Sequence, residues 1–328
     1  MNLSKSSART RWSLLILFCA LAALFFFLFC KTERAPGRKE TVPSSHQVVA
    51  LHSEGKFNSP SIDTIPTTSV PARMSLDDLE RQSSRGDAKA ACHVAAIYEQ
   101  CLMLLRQYDD ILAMIETKNQ GASGYFEALR LRSDYCAGIS INTNDAIDKW
   151  KDAAQKGSTN GMRGYVSGSS LLGISDATKY RDALREYSRS AEGFAWKLAD
   201  RGDINAIIAL AHAYNNGPTP AGSKLSQVVE KDQVKALAIF YYLQNSSSHM
   251  TTHSASENRV MELASRSIKK LESSLSATSI RDSAIMAGTL TKRWTAPLNY
   301  EKIFMSTLED GTLSSAQAED CQDEDNRN

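Results

Sequence analysis

Arg85–Tyr98, RGDAKAACHVAAIY, aligns without a gap on Arg201–Tyr214, RGDINAIIALAHAY. Both stretches open on Arg-Gly-Asp and carry an Ala three residues after the Asp (Ala90, Ala206). Both then run through Val94 or Leu210 to an Ala and a closing Tyr. Apolar residues recur at i, i+3 and i+4, the spacing of one helix face. The Gly suits the end of one helix, where the backbone turns left-handed, and the Asp suits the N-cap of the next. Read this way, Gly86 and Gly202 are repeat punctuation, and the RGD tripeptides are not adhesion motifs on an exposed loop.

Self-similarity extends beyond this pair. Tyr135-x-x-Gly138 repeats the Tyr214-x-x-Gly217 ending, and NDAIDKWKDAAQKG (Asn144–Gly157) supplies a second helix after it. In DQVKALAIFYYLQN (Asp232–Asn245), Ala236 and Phe240 align with Ala146 and Trp150. Gly157 opens a degenerate copy through Met162 and Tyr165. The equivalent positions Tyr98, Tyr135, Ser169 and Tyr214 stand 37, 34 and 45 residues apart, about one helical hairpin per unit. Small Ala lets paired helices approach, while Trp150, Phe240 and the Tyr series fill the space between hairpins. Ser75 starts an N-cap pattern with acids behind it, and between Pro71 and Pro218 there is no proline. No alternating β-branched run appears, so the expected fold class is all-α.

These residues resemble the Sel1-like repeat family, relatives of tetratricopeptide repeats. The best unit is Tyr135–Gly157, with Y-x-x-G, D-A-x-x-x-W and A-A-x-x-G in order; the next is Trp196–Tyr242, whose inter-helix loop is lengthened by Pro218–Lys231. The resemblance covers roughly residues 85–245. It implies a right-handed α-solenoid used for protein–protein contacts, often in bacterial envelope or signalling settings, and no catalytic residues. Helices near Glu257–Ser274 and Ile280–Trp294 are expected to cap the stack.

The ends read differently. Ser13–Cys30 is 18 residues without a charge, behind a 1–12 leader containing Lys5, Arg9 and Arg11. Eighteen helical residues rise about 27 Å, close to the thickness of the hydrocarbon layer. The run ends in Phe25–Phe29, unlike a small-residue cleavage site, although Ala20-Leu21-Ala22 leaves cleavage open. The expectation is an uncleaved anchor of a single-pass inner-membrane protein, with its body outside the cytoplasm; Lys31, Arg34, Arg38 and Lys39 nearly balance the positive-inside comparison. Residues 31–73 hold five of the eight prolines among many Ser and Thr and read as a disordered linker. The domain plan continues with repeats over 74–245, capping helices over 246–305 and an acidic, disordered tail over 306–328. From Glu309 that tail carries seven acidic residues and one Arg.

The chemistry is sparse. With 38 basic and 37 acidic side chains, the chain lacks the basic excess of a nucleic-acid protein. It contains no G-x-S-x-G, phosphate loop, H-E-x-x-H or C-x-x-C. His249 and His253 have metal-like spacing but stand in a Ser/Thr-rich stretch. His93 and His212 sit inside helix segments, and adjacent Asp109 and Asp110 point apart on a helix. No catalytic, cofactor or metal residue is expected. Cys92 and Cys101 are nine residues apart, too far to bridge along one continuous helix. Cys101 and Cys136 fall near the same inter-helix corner of adjacent units; their pairing, Cys92 with either of them, and no bridge stay open.

The expected function is a membrane-tethered repeat scaffold, anchored by residues 13–30, that binds a protein or peptide partner along its concave face. The alternative is an envelope or cell-wall-acting enzyme with its site in 246–305.

Overall fold

The periodic stretches form helices. The computed structural model describes residues 76–116, 136, 139, 144–174, 176–219, 222–247, 254–300 and 303–322, with only the backbone described for 105–116. The leader, the 13–30 segment, the linker, Tyr135, Gly138, His249 and His253 lie outside the described residues. The helices are α1 (Leu76–Ser84), α2 (Ala88–Glu116), α3 (Asp145–Gln155), α4 (Thr159–Ser167), α5 (Ala177–Asp200), α6 (Ile204–Asn216), α7 (Gln233–Ser247), α8 (Ala255–Glu272), α9 (Ala277–Arg293) and α10 (Met305–Asp310). A 3-10 turn, Ser169–Gly173, follows α4. No strand occurs among the described residues, and the fold is all-α. From α1 to α8 each helix packs on the next, while α9 returns onto α7.

One turn recurs between helices. Gly86, Gly157 and Gly202 have φ of +96°, +95° and +78°. Each donates its N–H three residues back, to Ser83, Ala154 and Ala199; the next residue (Asp87, Ser158, Asp203) donates five back, to Gln82, Ala153 and Leu198. This is a Schellman ending, and the residue that completes it also caps the following helix. Asp87 Oδ1 accepts from Lys89 and Ala90 N–H, Ser158 Oγ from Gly161, and Asp203 Oδ1 from Asn205 and Ala206. The residue before each later glycine reaches back to the turn before it. Lys156 Nζ donates to Ser83 Oγ at 3.2 Å, and Arg201 Nη1 to the Gly157 carbonyl at 3.1 Å.

The aligned tyrosines also share their surroundings. Tyr98 OH donates to Glu80 on the preceding helix at 3.1 Å, and Lys149 of the following helix lies 5.0 Å from its ring centre. Tyr214 OH donates to Glu192, and Lys235 lies 4.9 Å from its ring centre. Burial, then the carboxylate, pushes the Tyr98 phenol up to about 12; the same causes raise Tyr214, with the Trp196 indole N–H opposing them.

Trp150 and Phe240 are both buried in the main core. Close packing over Trp150 depends on Gly164 of α4, where a Cβ would come within 2.5 Å of the indole ring. Helix α6 is buried at every position from Ile204 to Tyr214, as expected of a helix apolar all round and surrounded by others. Helix α2 divides its faces: Cys92, Ala95 and Ala96 join the main core, while Ala90, Val94, Ile97 and Cys101 join Leu79 in a second cluster. The expected capping helices are α8, opened by a Ser254–Glu257 capping box, and α9.

Two expectations are corrected. Cys101 is not at an inter-helix corner, because α2 runs unbroken to Glu116. The glycine that follows Tyr214 by three residues has Cys101 as its counterpart after Tyr98, so nothing there turns the backbone left-handed. The tail is not solvated and frayed over its described part, 306–322: 305–310 is helical, and Leu313, Ala316 and Cys321 are buried in the main core, while 323–328 lie outside the described residues. Its charge is carried by outward residues such as Glu309, Asp310 and Glu319, while every residue that enters the core is small or apolar.

Candidate functional site

The packed tail defines the candidate site. Residues 303–322 lie across α8 and then α6, α4 and α2, the last three being the first helices of the paired units. Helix α10 contacts α8 and α6. Phe304 N–H donates to Asn205 Oδ1 at 3.2 Å, and the His212 ring bonds the Leu308 carbonyl. From Gly311 to Gln317 the segment has no regular secondary structure. Ser315 then donates to Glu99, Asn160 Nδ2 donates to the Asp320 carbonyl at 2.6 Å, and Cys321 is bonded to Cys92.

The repeats themselves orient one of the receiving side chains, Asn160. Asn160 and Asn205 each stand three residues after a turn glycine, on the first turn of α4 and α6. Arg163 donates to Asn160 Oδ1, which leaves the amide N–H of Asn160 for the tail. Arg163 is in turn fixed by Asp203 at 2.8 Å, so the cap of one helix orients the asparagine of another. Both asparagines bond main-chain atoms of the tail, which any sequence supplies.

Glu99 forms the floor. It is 7% exposed and accepts from Trp150 Nε1 at 2.6 Å, from Ser169 and from Ser315. Three neutral donors hold this carboxylate, two from the repeats and one from the tail. Sequence reasoning passed over it because it lies between Tyr98 and Cys101 with no motif around it. Its partners Trp150 and Ser169 had been singled out only as repeat positions.

Histidines border the segment. Burial holds both His93 and His212 below the usual imidazole range; Lys89 adds to this at His93, against Asp87 and Glu319, and Asp310 opposes it at His212. The Nε2 of His212 is buried without a hydrogen-bond partner, consistent with a neutral ring donating through Nδ1.

Cys101 and Cys136 are bonded, with Cα atoms 5.6 Å apart. Cys92 bonds neither of them: its partner is Cys321, with Cα atoms 5.8 Å apart across 229 residues of sequence. Four cysteines outside the 13–30 run already allowed two bridges by count, a signal obscured once Cys321 was assigned to a disordered tail. Two disulfides indicate an oxidising, extracytoplasmic setting for this body.

A cleft of about 560 Å³ separates α8 from α10. Its α8 side carries Arg259, Glu262, Leu263, Arg266 and Lys270, and its α10 side Met305, Leu308 and Glu309. It lies partly within 246–305, the region of the enzyme alternative, and its lining is ionic and apolar. Among the described residues no group of three or more His, Cys, Asp or Glu is arranged to hold a metal, and no helix is long and apolar enough to cross a membrane.

The fold and site together define an all-helical, disulfide-bonded domain of about ten packed helices. No family model, curated protein or solved structure matches the chain.

Proposed function

We propose that this chain is a membrane-tethered helical-repeat scaffold of Sel1-like type, an α-solenoid that binds a protein partner outside the cytoplasm. The recurring Gly turn, the ties from Lys156 and Arg201 to the turn before each, and the Tyr–Glu–Lys grouping at Tyr98 and Tyr214 support the repeat reading. Sequential helix packing is the contact pattern that stacked repeats produce. The apolar run Ser13–Cys30 supports the tether, and the disulfides support the compartment.

The observation that carries the binding role is the main-chain grip of Asn160 and Asn205 on the two ends of the 303–322 segment, on either side of its irregular stretch Gly311–Gln317. A surface that reads backbone atoms through paired amides suits extended chains. The test is a photoreactive residue placed in the full-length, membrane-bound protein, either at Met305 beside this surface or at Ile285 on α9. Both positions are exposed. One dominant protein adduct from Met305 and none from Ile285 is expected. Adducts in equal yield from both positions, or none from either, would discard the role.

A further inference from the structure

We infer that residues 303–322 act as a ligand in cis, filling a groove across α2, α4, α6 and α8 whose partner in trans is an extended peptide with a hydroxyl-bearing residue over Glu99. This rests on the scaffold reading above and gives its binding surface a ligand chemistry.

Three observations meet here. First, the segment runs from the capping helix α8 across the unit-opening helices α6 and α4 to α2, and its central part, Gly311–Gln317, is neither helix nor strand. A segment integral to the helix stack would be expected to pair as a further helix, as α7, α8 and α9 do. Second, the two asparagines at matching repeat positions hold it by backbone atoms, Phe304 N–H and Asp320 C=O. Side-chain identity enters at Thr307, Leu313, Ala316 and Cys321, which are buried, at Ile303, Leu308 and Ala318, which pack against the core, and at Ser315, which reaches Glu99. At the irregular centre the required pattern is an apolar residue, a hydroxyl two residues later and a small residue next. Third, Glu99 is a buried carboxylate whose two internal donors are completed by that hydroxyl. With the segment lifted, Glu99 loses a donor, so the groove favours occupants that restore one.

The Cys92–Cys321 bond tethers the far end of the segment, and the chain from α9 tethers the near end. A doubly tethered ligand has an effective concentration on the order of millimolar, which suppresses competitors that make the same contacts. Removing one tether lowers that concentration.

The experiment uses full-length protein in detergent and a fluorescein-labelled synthetic peptide of residues 303–322 carrying Cys321→Ser, read by polarisation. The Cys321→Ser protein is expected to bind this peptide about tenfold more tightly than the parent protein. Changing Ser315→Ala in the peptide, or Asn205→Ala in the Cys321→Ser protein, should weaken binding by about fivefold. Equal affinity for both proteins, or equal binding of a scrambled peptide, would overturn the inference. Hydrogen exchange on the disulfide-intact parent protein covers the case in which Cys321→Ser fails to fold. Excess unlabelled peptide should accelerate exchange at 311–317 and leave α6 unchanged. Exchange of 311–317 only together with α6 would overturn the inference as well. A Met305 adduct alongside a failed peptide test sinks the groove but leaves the scaffold. Peptide binding without any adduct keeps the groove and sinks the scaffold's partner role.

Discussion

The stretches Arg85–Tyr98 and Arg201–Tyr214 begin alike and end differently. Both start with the same glycine turn and capping aspartate, and both place their tyrosine between a carboxylate of the helix before and a lysine of the helix after. After the tyrosine they part: Gly217 ends α6, whereas Cys101 lets α2 continue to Glu116. They differ again at the third residue past the turn glycine, where Asn205 holds the C-terminal segment and Lys89 occupies the corresponding place. Shared local signals thus produced shared turns, and single residues decided how far each helix runs and what its first turn can hold.

The largest test lies between the two copies, at the core residue that both units share in form. Trp150→Ala should cost about 3–5 kcal/mol in a urea melt, since it empties a buried site and takes a donor from Glu99. Phe240→Ala, which touches no carboxylate, should fall at the lower end of that range. Equal losses would mean that Glu99 adds nothing to the first core.

Disulfides come next. Cys321→Ser and Cys136→Ser should each lower stability by about 2–5 kcal/mol, with the larger loss from the bridge spanning 229 residues than from the one spanning 35. The reverse order in denaturant melts would show the 303–322 segment to be held independently of its bond.

The turn glycines sharpen the likeness itself. Gly157→Ala places a Cβ in open space and should cost about 1–2 kcal/mol for its positive φ alone. Gly202→Ala has that strain and also brings a Cβ within 2.4 Å of the Pro297 carbonyl oxygen, so its melt should fall further. Equal shifts would argue that the loop at 297 yields freely.

The smallest effect is expected from pH. His93 and His212 have folded-state values below the ordinary 6.5, so the unfolded chain binds protons more readily than the folded one. Their contribution is complete above about pH 7.5 and is lost as pH falls below 6.5. The urea midpoint at pH 5.5 should be lower than at pH 7.5. His212→Asn should flatten that difference more than His93→Asn, because His212 is the more buried ring. A midpoint that does not move would place charge on the folded imidazoles.

Much of the helical body was legible. The turns at Gly86, Gly157 and Gly202 depend on bonds three to five residues long, and the burial of Trp150, Phe240 and Tyr214 follows from helical spacing. The candidate groove was not legible. Asn160 and Asn205 are ordinary helix-start residues until something lies across them, and Ser315 is an ordinary polar residue until Glu99 is beneath it. Composition even pointed the wrong way, since the acidic residues of 309–322 hide the few that enter the core. A segment's mean polarity does not report whether its small and apolar members meet a matching surface.

By itself, then, the sequence determined that this body is helical, where the turns at Gly86, Gly157 and Gly202 fall, which aspartates cap the helices after two of them and that Trp150, Phe240 and Tyr214 are core, because each of these depends on neighbours within about one helical turn. Tertiary structure alone decided that Cys92 pairs with Cys321, that Glu99 is shared by α2, α3 and the C-terminal segment, and that this segment returns across the unit-opening helices. Those contacts join residues 51 to 229 positions apart, and at such separations only the packed fold brings partners within bonding distance.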